Sequence, residues 1–327
     1  DLARTKETIM KQEIVLVAGP PASGKTTTVK KYVDQGYTRL NRDTLGGALS
    51  SKKELLYVKL VELHGQGVRS FVLDNVYSNT AHRAVAIEVA RDLGLPIRIL
   101  WMDTNREQAQ FLAARRQILN HGKLLSVAEY KASKYKKDPG NFPPAAQFAY
   151  WNRVELPDVS EGFTDVEHVP VTIDLGPEYV NRAMIFDFDS TLRVCKSGEH
   201  YPRDPADVVL MPGRKEKIHE LLADGWILLG ASNQSGIAKP AGHPTAVAEP
   251  VVIACFNRTC ELLDADIDVV YAPDRGGVPR SYWPKPMPGM GVVLIERYLL
   301  DPSQCMMVGD MKKDETFAHR CGFQYTD

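Results

Sequence analysis

The residues Gly19-Pro-Pro-Ala-Ser-Gly24-Lys25-Thr26 fit the phosphate-cradling pattern G-x-x-x-x-G-K-[ST]. Glycines at such spacing let backbone N–H groups turn inward around phosphate oxygens, and the helix that follows points its positive end at them. Lys25 is placed to reach the β- and γ-phosphates of ATP, and the Thr26 hydroxyl to ligate Mg²⁺. Gly19, Ser23, Gly24 and Thr27 supply the rest of the nucleotide cradle. A phosphate donor needs an acceptor. Asp43, in Leu40-Asn-Arg-Asp43-Thr-Leu-Gly46, is a candidate base for an attacking hydroxyl, with Arg42 beside it to hold an acceptor phosphate. A lone aspartate in a turn caps the chain as readily as it catalyses. Asp74-Asn75 ends a second apolar run, and two carboxylates beside one phosphate loop favour chemistry. Arg115 and Arg116 either swing onto the transferring phosphoryl group or sit on a solvated helix face.

A second cluster begins at Met184-Ile-Phe-Asp187-Phe-Asp189-Ser-Thr-Leu192. Residues two apart on a strand project to one side, and like charges so close call for a cation beside them. Three more pieces follow in order: Ala231-Ser232-Asn233-Gln234, Lys285-Pro286, and Val308-Gly309-Asp310 with Asp314 four residues on. This set suits a carboxylate nucleophile (Asp187), an acid/base (Asp189) and phosphoryl-binding groups (Ser232, Asn233 and Lys285). Asp187 and Asp310 are the candidate Mg²⁺ ligands, with Asp314 nearby as a ligand or as a group behind the ligands.

Each motif sits where an apolar run ends, so the elements around it can be read. Strands are expected at Glu13–Ala18, Ser70–Asp74, Pro96–Met102 and Val166–Ile173, with helices starting at Gly24, Lys52, Thr80 and Asn105. The pattern restarts after Leu175–Arg182. It gives strands at Ala183–Phe188, Trp226–Ala231, Ile267–Tyr271 and Cys305–Val308, and helices at Arg214–Asp224, Val251–Leu263, Gly291–Leu300 and Glu315–Cys321. Strands alternating with helices imply α/β architecture, here two doubly wound parallel-sheet domains, 1–178 and 179–327. The length of 327 residues agrees with about two domains of ordinary size.

Hydrophobic residues at 44% and charged residues at 25% exclude disorder and fibrous classes, and no apolar run is long enough to span a bilayer. A net charge of −1 excludes a chain coated with phosphate-binding charge, so any nucleic-acid contact is local. Five cysteines with no C-x-x-C pair, and no secretory apolar core at the start, lead us to expect reduced thiols and an intracellular (cytoplasmic or nuclear) setting.

Asn41-Arg-Asp-Thr-Leu-Gly46, the Asp74-Asn75 strand end, Arg106-Glu-Gln-Ala before the arginine pair, and Glu161-Gly162-Phe163 together resemble the kinase domain of polynucleotide 5′-kinase/3′-phosphatases over about residues 13–173. The resemblance implies that Asp43 is the general base for a 5′-hydroxyl and that Asp74 positions the acceptor. Gly46 stands where the phage-type enzymes carry an arginine. The four pieces after residue 183 are similar to the motifs of haloacid-dehalogenase-type phosphatases, with Ser190 where that family usually has glycine. This likeness implies that Asp187 becomes phosphorylated and that the Asp189 carbonyl joins Asp187 and Asp310 on the metal.

The spacing from Asp189 to Met211 leaves room for a hairpin flap, and that from Ser232 to Lys285 for one helix–strand unit, so no cap domain is expected. An open site suits a polymer end. The resemblance therefore implies ATP-dependent phosphorylation of 5′-OH ends and hydrolysis of 3′-phosphate ends on DNA or RNA, with a ligase acting downstream and no membrane partner. The alternative is a small-molecule P-loop kinase fused to a sugar-phosphate phosphatase. Histidinol- and heptose-phosphate phosphatases are also capless, but many carry a cysteine-rich loop that residues 272–285 lack.

Overall fold

The computed structural model describes residues 11–41, 52–136, 138, 140–273 and 280–327, so Arg42, Asp43 and Gly46 lie outside the described residues. Ile14–Ala18 forms β1, a run of β-branched and aliphatic side chains that is buried throughout, as a strand covered on both faces requires. It is followed by α1 (Lys25–Asp34), β2 (Thr38–Leu40), α2 (Lys52–Gly65), β3 (Phe71–Asp74), α3 (Thr80–Asp92) and β4 (Ile97–Asp103). Next come α4 (Arg106–His121), α5 (Ser133–Lys136), α6 (Pro144–Trp151) and β5 (Asp165–Pro170). Among the described residues the strands form one parallel sheet in the order β2-β3-β1-β4-β5. Alternate side chains serve opposite layers. Ile14, Leu16, Phe71 and Ile99 enter one core, and Val15, Val17, Val72 and Leu100 the other. The strand order reverses at β1, which opens a crevice at its C-terminal end, and Asp74 stands there in register with Val17.

The second sheet is built the same way from β6 (Ala183–Phe186), β9 (Ile227–Asn233), β10 (Asp268–Ala272), β11 (Met306–Val308) and β12 (Gln324–Thr326), with β6 central. Its order is β10-β9-β6-β11-β12, all parallel, among the described residues. Helices α7 (Arg214–Ala223), α8 (Glu249–Leu263), α9 (Gly289–Tyr298) and α10 (Lys312–Cys321) connect the strands. An antiparallel pair, β7 (Arg193–Cys195) with β8 (Val208–Leu210), fills the expected flap position between β6 and α7. The α/β class with two parallel sheets is as the alternation of elements implied.

The departures have local causes. Strand β6 stops at Phe186 rather than Phe188, because Ser190 adopts a left-handed backbone (φ 64°) and the amides of Leu192 and Arg193 turn back to the Phe188 carbonyl. Helix α8 starts at Glu249 rather than Val251, since Pro250 in the first turn lacks only an N–H that the helix would leave unpaired. Strand β12 is three residues long, too short to show an alternation.

The described residues pack as two units, one within Asp1–Ala109 and Ala146–Thr172, the other within Gln110–Ala145 and Ile173–Asp327. The chain is thus interleaved, where the sequence reading drew a single boundary near 178. Within the second unit, Arg115 anchors the 110–145 segment through an ion pair with Glu296 (2.7 Å) and a bond to the Asp174 carbonyl (2.8 Å).

Candidate active sites

In the first unit, β1 delivers the chain to the phosphate loop and α1 leaves it. Gly24 caps α1 in a left-handed conformation (φ 79°), a position that glycine takes without a Cβ penalty, and no side-chain hydrogen bond caps the helix end among the described residues. Lys25 folds back over the loop and donates to the carbonyls of Gly19 (3.0 Å) and Pro20 (2.7 Å). Thr26 and Thr27 are exposed, while Ser23 is buried with its hydroxyl unpartnered among the described residues.

The loop after β3 meets the same place, since the Gly19 amide donates to the Val76 carbonyl (3.4 Å). Asp74 is buried there and ion-paired with Arg39, and the Asn75 side chain donates to the Tyr77 hydroxyl (3.2 Å). The structure thus sets the loop that carries Lys25 beside the strand end that carries Asp74. The sequence reading missed Arg39, although a cation on the strand next to β3 was the available signal.

Glu161-Gly162-Phe163 is explained structurally. Glu161 takes a two-pronged ion pair from the fully buried Arg83 (2.6 and 2.7 Å), Gly162 is left-handed (φ 116°), and Phe163 enters the core. Arg83 also donates to the Tyr77 and Glu155 carbonyls, so it braces the loop that carries Asp74 and Asn75.

The arginine pair is engaged inside the second unit. Besides Glu296 and Asp174, Arg115 lies over the Tyr179 ring, and Arg116 donates to the Gly140 carbonyl (2.7 Å) and lies over Phe142.

The second cluster assembles at the C-terminal ends of β6, β9 and β11. Asp187 follows β6 and its amide bonds the Val308 carbonyl of β11 (2.9 Å). Lys285, 3% exposed, places its ammonium 3.0 Å from Asp187 and 2.6 Å from Asp314. Asn233 fixes that lysine through its backbone: the amide side chain donates to the Lys285 carbonyl (2.9 Å) and accepts from its N–H (2.8 Å). Ser232 is buried beside them and accepts from Gln234 (3.0 Å). Gly309 allows Asp314 to approach from behind, since a Cβ there would lie 2.7 Å from the Asp314 Cβ. Burial raises the Asp314 carboxyl above its ordinary value, and the Asp187 charge adds to this against the pull of Lys285.

Asp187, Asp310 and Asp314 each offer one oxygen, all within 4.8 Å of one another. A donor set made only of carboxylate oxygens fits a hard divalent cation. Asp189 points elsewhere. Its Oδ1 accepts from Arg193 (2.9 Å) and its Oδ2 from Gln234 (3.3 Å). Arg193 went unnoticed in the sequence, though an arginine four residues after the acid/base candidate, in an apolar stretch, was a readable signal.

Residues 14–118 match the family described as AAA domain, and residues 182–327 match Polynucleotide kinase 3 phosphatase. A bifunctional polynucleotide phosphatase/kinase of Schizosaccharomyces pombe is 31% identical over 160 residues, which are 49% of this chain and 34% of that protein. A D-glycero-D-manno-heptose-1,7-bisphosphate 7-phosphatase of Thermosynechococcus vestitus is 36% identical over 130 residues, covering 36% of this chain and 64% of that protein. The chain therefore spans less than two thirds of the length of each of these relatives. A chain of the solved Pnkp1/Rnl/Hen1 complex aligns over 98% of this chain and 97% of its own length at 13% identity, with a TM-score of 0.33. No helix among the described residues is long and apolar enough to cross a membrane.

Proposed function

We propose that this chain, which belongs to the polynucleotide 5′-kinase/3′-phosphatase family, heals broken nucleic-acid ends at two separate centres. In the kinase centre, Lys25 leaves the loop carbonyls for the β- and γ-oxygens of ATP, cradled by Gly19, Ser23, Gly24, Thr26 and Thr27. Asp43 takes the proton of the 5′-hydroxyl as that oxygen attacks the γ-phosphorus and ADP departs. Arg42, Asp74 and Asn75 hold the acceptor.

In the phosphatase centre, an Asp187 oxygen attacks phosphorus, the bond to the 3′-oxygen breaks, and Asp189 gives that oxygen its proton. The Asp189 carboxylate then takes a proton from water as the water oxygen attacks the aspartyl-phosphate. Inorganic phosphate leaves and Asp187 is restored. Ser232 and the Asn233 amide hold phosphoryl oxygens, while Lys285 keeps Asp187 in place and offsets charge. Mg²⁺ fits the Asp187, Asp310 and Asp314 set with the Asp189 carbonyl, and Thr26 in the other centre, and when bound supplies charge neutralisation at the phosphoryl oxygens.

One observation carries the reading: a phosphate loop with Asp74 beside it on one sheet, and the Asp187–Lys285–Asp314 cluster on a second sheet of the same chain. The short β7–β8 flap suits a strand end rather than an enclosed small molecule. The products are what a ligase joins, and five unpaired cysteines fit a reducing intracellular setting.

The heptose-phosphatase likeness favours a second reading, hydrolysis of a sugar phosphate. The two separate on kcat/KM for a 3′-phosphorylated oligonucleotide against a heptose bisphosphate, histidinol phosphate and a free 3′-mononucleotide. The oligonucleotide should win by at least about tenfold. Equal or faster turnover of a sugar phosphate would sink the polynucleotide reading.

A further inference from the structure

Arg193 is 1% exposed, yet it carries a charge into the core of the second unit. Its guanidinium lies beside the edge-to-face pair Phe188–Phe256, 5.3 Å from the Phe188 centroid and 5.0 Å from that of Phe256. One terminal nitrogen donates to the Cys255 carbonyl (2.8 Å) and the Thr259 hydroxyl (3.0 Å), both on α8, and Thr259 in turn donates to the same carbonyl (2.8 Å). Nε is left for Oδ1 of Asp189, at 2.9 Å. Burying such a charge against two phenylalanines is seldom the most stable solution, because an apolar side chain of similar volume would fill the space without desolvation. Local violations of that kind concentrate where function demands them.

We propose that Arg193 is a positioning residue for the phosphatase, one that sets the orientation of Asp189. The proposal rests on the reading of Asp189 as the group that protonates the leaving oxygen. Arg193 is anchored on α8 and packed against an aromatic pair, so the position of its Nε is fixed before substrate arrives. That bond occupies Oδ1 and leaves Oδ2, which has only the longer 3.3 Å contact from Gln234, to meet the leaving group. When Asp187 attacks phosphorus, the proton on Asp189 passes from Oδ2 to the departing oxygen. The pinned carboxyl delivers it along a set direction. Arg193 touches neither substrate nor phosphorus in this scheme and acts through Asp189 alone.

The readout that distinguishes positioning from mere support is leaving-group dependence. A basic alkoxide such as a nucleotide 3′-oxygen needs protonation, whereas p-nitrophenolate departs without it. Arg193→Met keeps the apolar bulk beside the rings and removes the Nε bond. Its kcat/KM, which covers only the steps up to loss of the leaving group, should fall about 100-fold or more on the 3′-phosphorylated oligonucleotide and less than about tenfold on p-nitrophenyl phosphate. Phenyl phosphate should fall in between. In an Asp189→Asn background the same change should cost nothing further, because the group it orients is already gone.

Should Arg193→Met fail to fold, Thr259→Val loosens the α8 anchor and should give the same selectivity at smaller size. Equal losses on all substrates, no loss, or a full additional loss in the Asp189→Asn background would overturn the proposal. Since the aryl phosphates do not depend on a nucleic-acid substrate, a wild-type chain that turned them over but spared the oligonucleotide would contradict the polynucleotide reading, and the aryl series would still decide on Arg193.

Discussion

At the scale of single residues, Lys285 shows how the phosphatase centre is held together. Its ammonium is wedged between two buried carboxylates, Asp187 and Asp314, which would repel each other without it. Lys285→Met should therefore lower unfolding free energy by about 3–5 kcal/mol, because it leaves uncompensated buried charge. Denaturant melts of the two chains check this, and a loss under about 1 kcal/mol would show that the carboxylates find another partner. The residues proposed to touch phosphate were legible because their chemistry restricts their type: Gly24, Lys25, Asp187 and Lys285 all belong to short patterns. Arg83 was not, since it is defined by the Glu161 it meets across the fold, and no pattern in the chain links the two. Arg193 left only its spacing to Asp189 as a signal, and its anchors on α8 lie far along the chain.

At the scale of elements, the parallel strands were legible because burial on both faces leaves a continuous apolar run, as in β1. What precedes β1 is less obvious. Glu13 is buried at its start and accepts from both Arg98 (3.1 and 3.2 Å) and the Tyr37 hydroxyl (2.7 Å). Burial pushes the Glu13 carboxyl up, but Arg98 and Tyr37 outweigh it and hold the group below its ordinary value of 4.5. A carboxyl depressed by folding stabilises the folded state above the unfolded value, and that contribution fades as pH falls through the folded one. Glu13→Gln should thus cost about 1–3 kcal/mol at neutral pH, and the gap to wild type should close below roughly pH 4. Thermal melts of both chains from pH 7 downward test this, and a gap that widened in acid would contradict it. Four of the three-residue strands, β2, β7, β8 and β12, carry too little alternation to be delimited from sequence, and pairing alone defines them. The equally short β11 was legible as the end of the apolar run Cys305–Val308.

At the scale of the whole molecule, the chain does not divide where its motifs divide. The 110–145 segment packs with 173–327, through Arg115 on Glu296 and with Leu124 set against Gly289. A fragment of residues 179–327 would lose that covering and expose apolar surface. It should melt several degrees below the corresponding transition of the full chain, at roughly 2–4 °C per kcal/mol for a unit of this size. Calorimetry of both decides it, and equal melting temperatures would mean that the segment contributes nothing to the second unit. The sequence could not reveal this interleaving, because ion pairs between distant helices leave no local signature.

The central claim, two independent centres acting on the two ends of a nucleic acid, is tested most directly on one oligonucleotide bearing a 5′-hydroxyl and a 3′-phosphate. It would be incubated with labelled ATP and Mg²⁺ and both ends followed. The wild-type chain should label the 5′ end and release phosphate from the 3′ end. Lys25→Ala should abolish only the labelling, and Asp187→Asn only the release, each by at least about 10⁴-fold. A chain that left both ends untouched while turning over a sugar phosphate, or a single variant that lost both activities while keeping its wild-type melting temperature, would contradict the account.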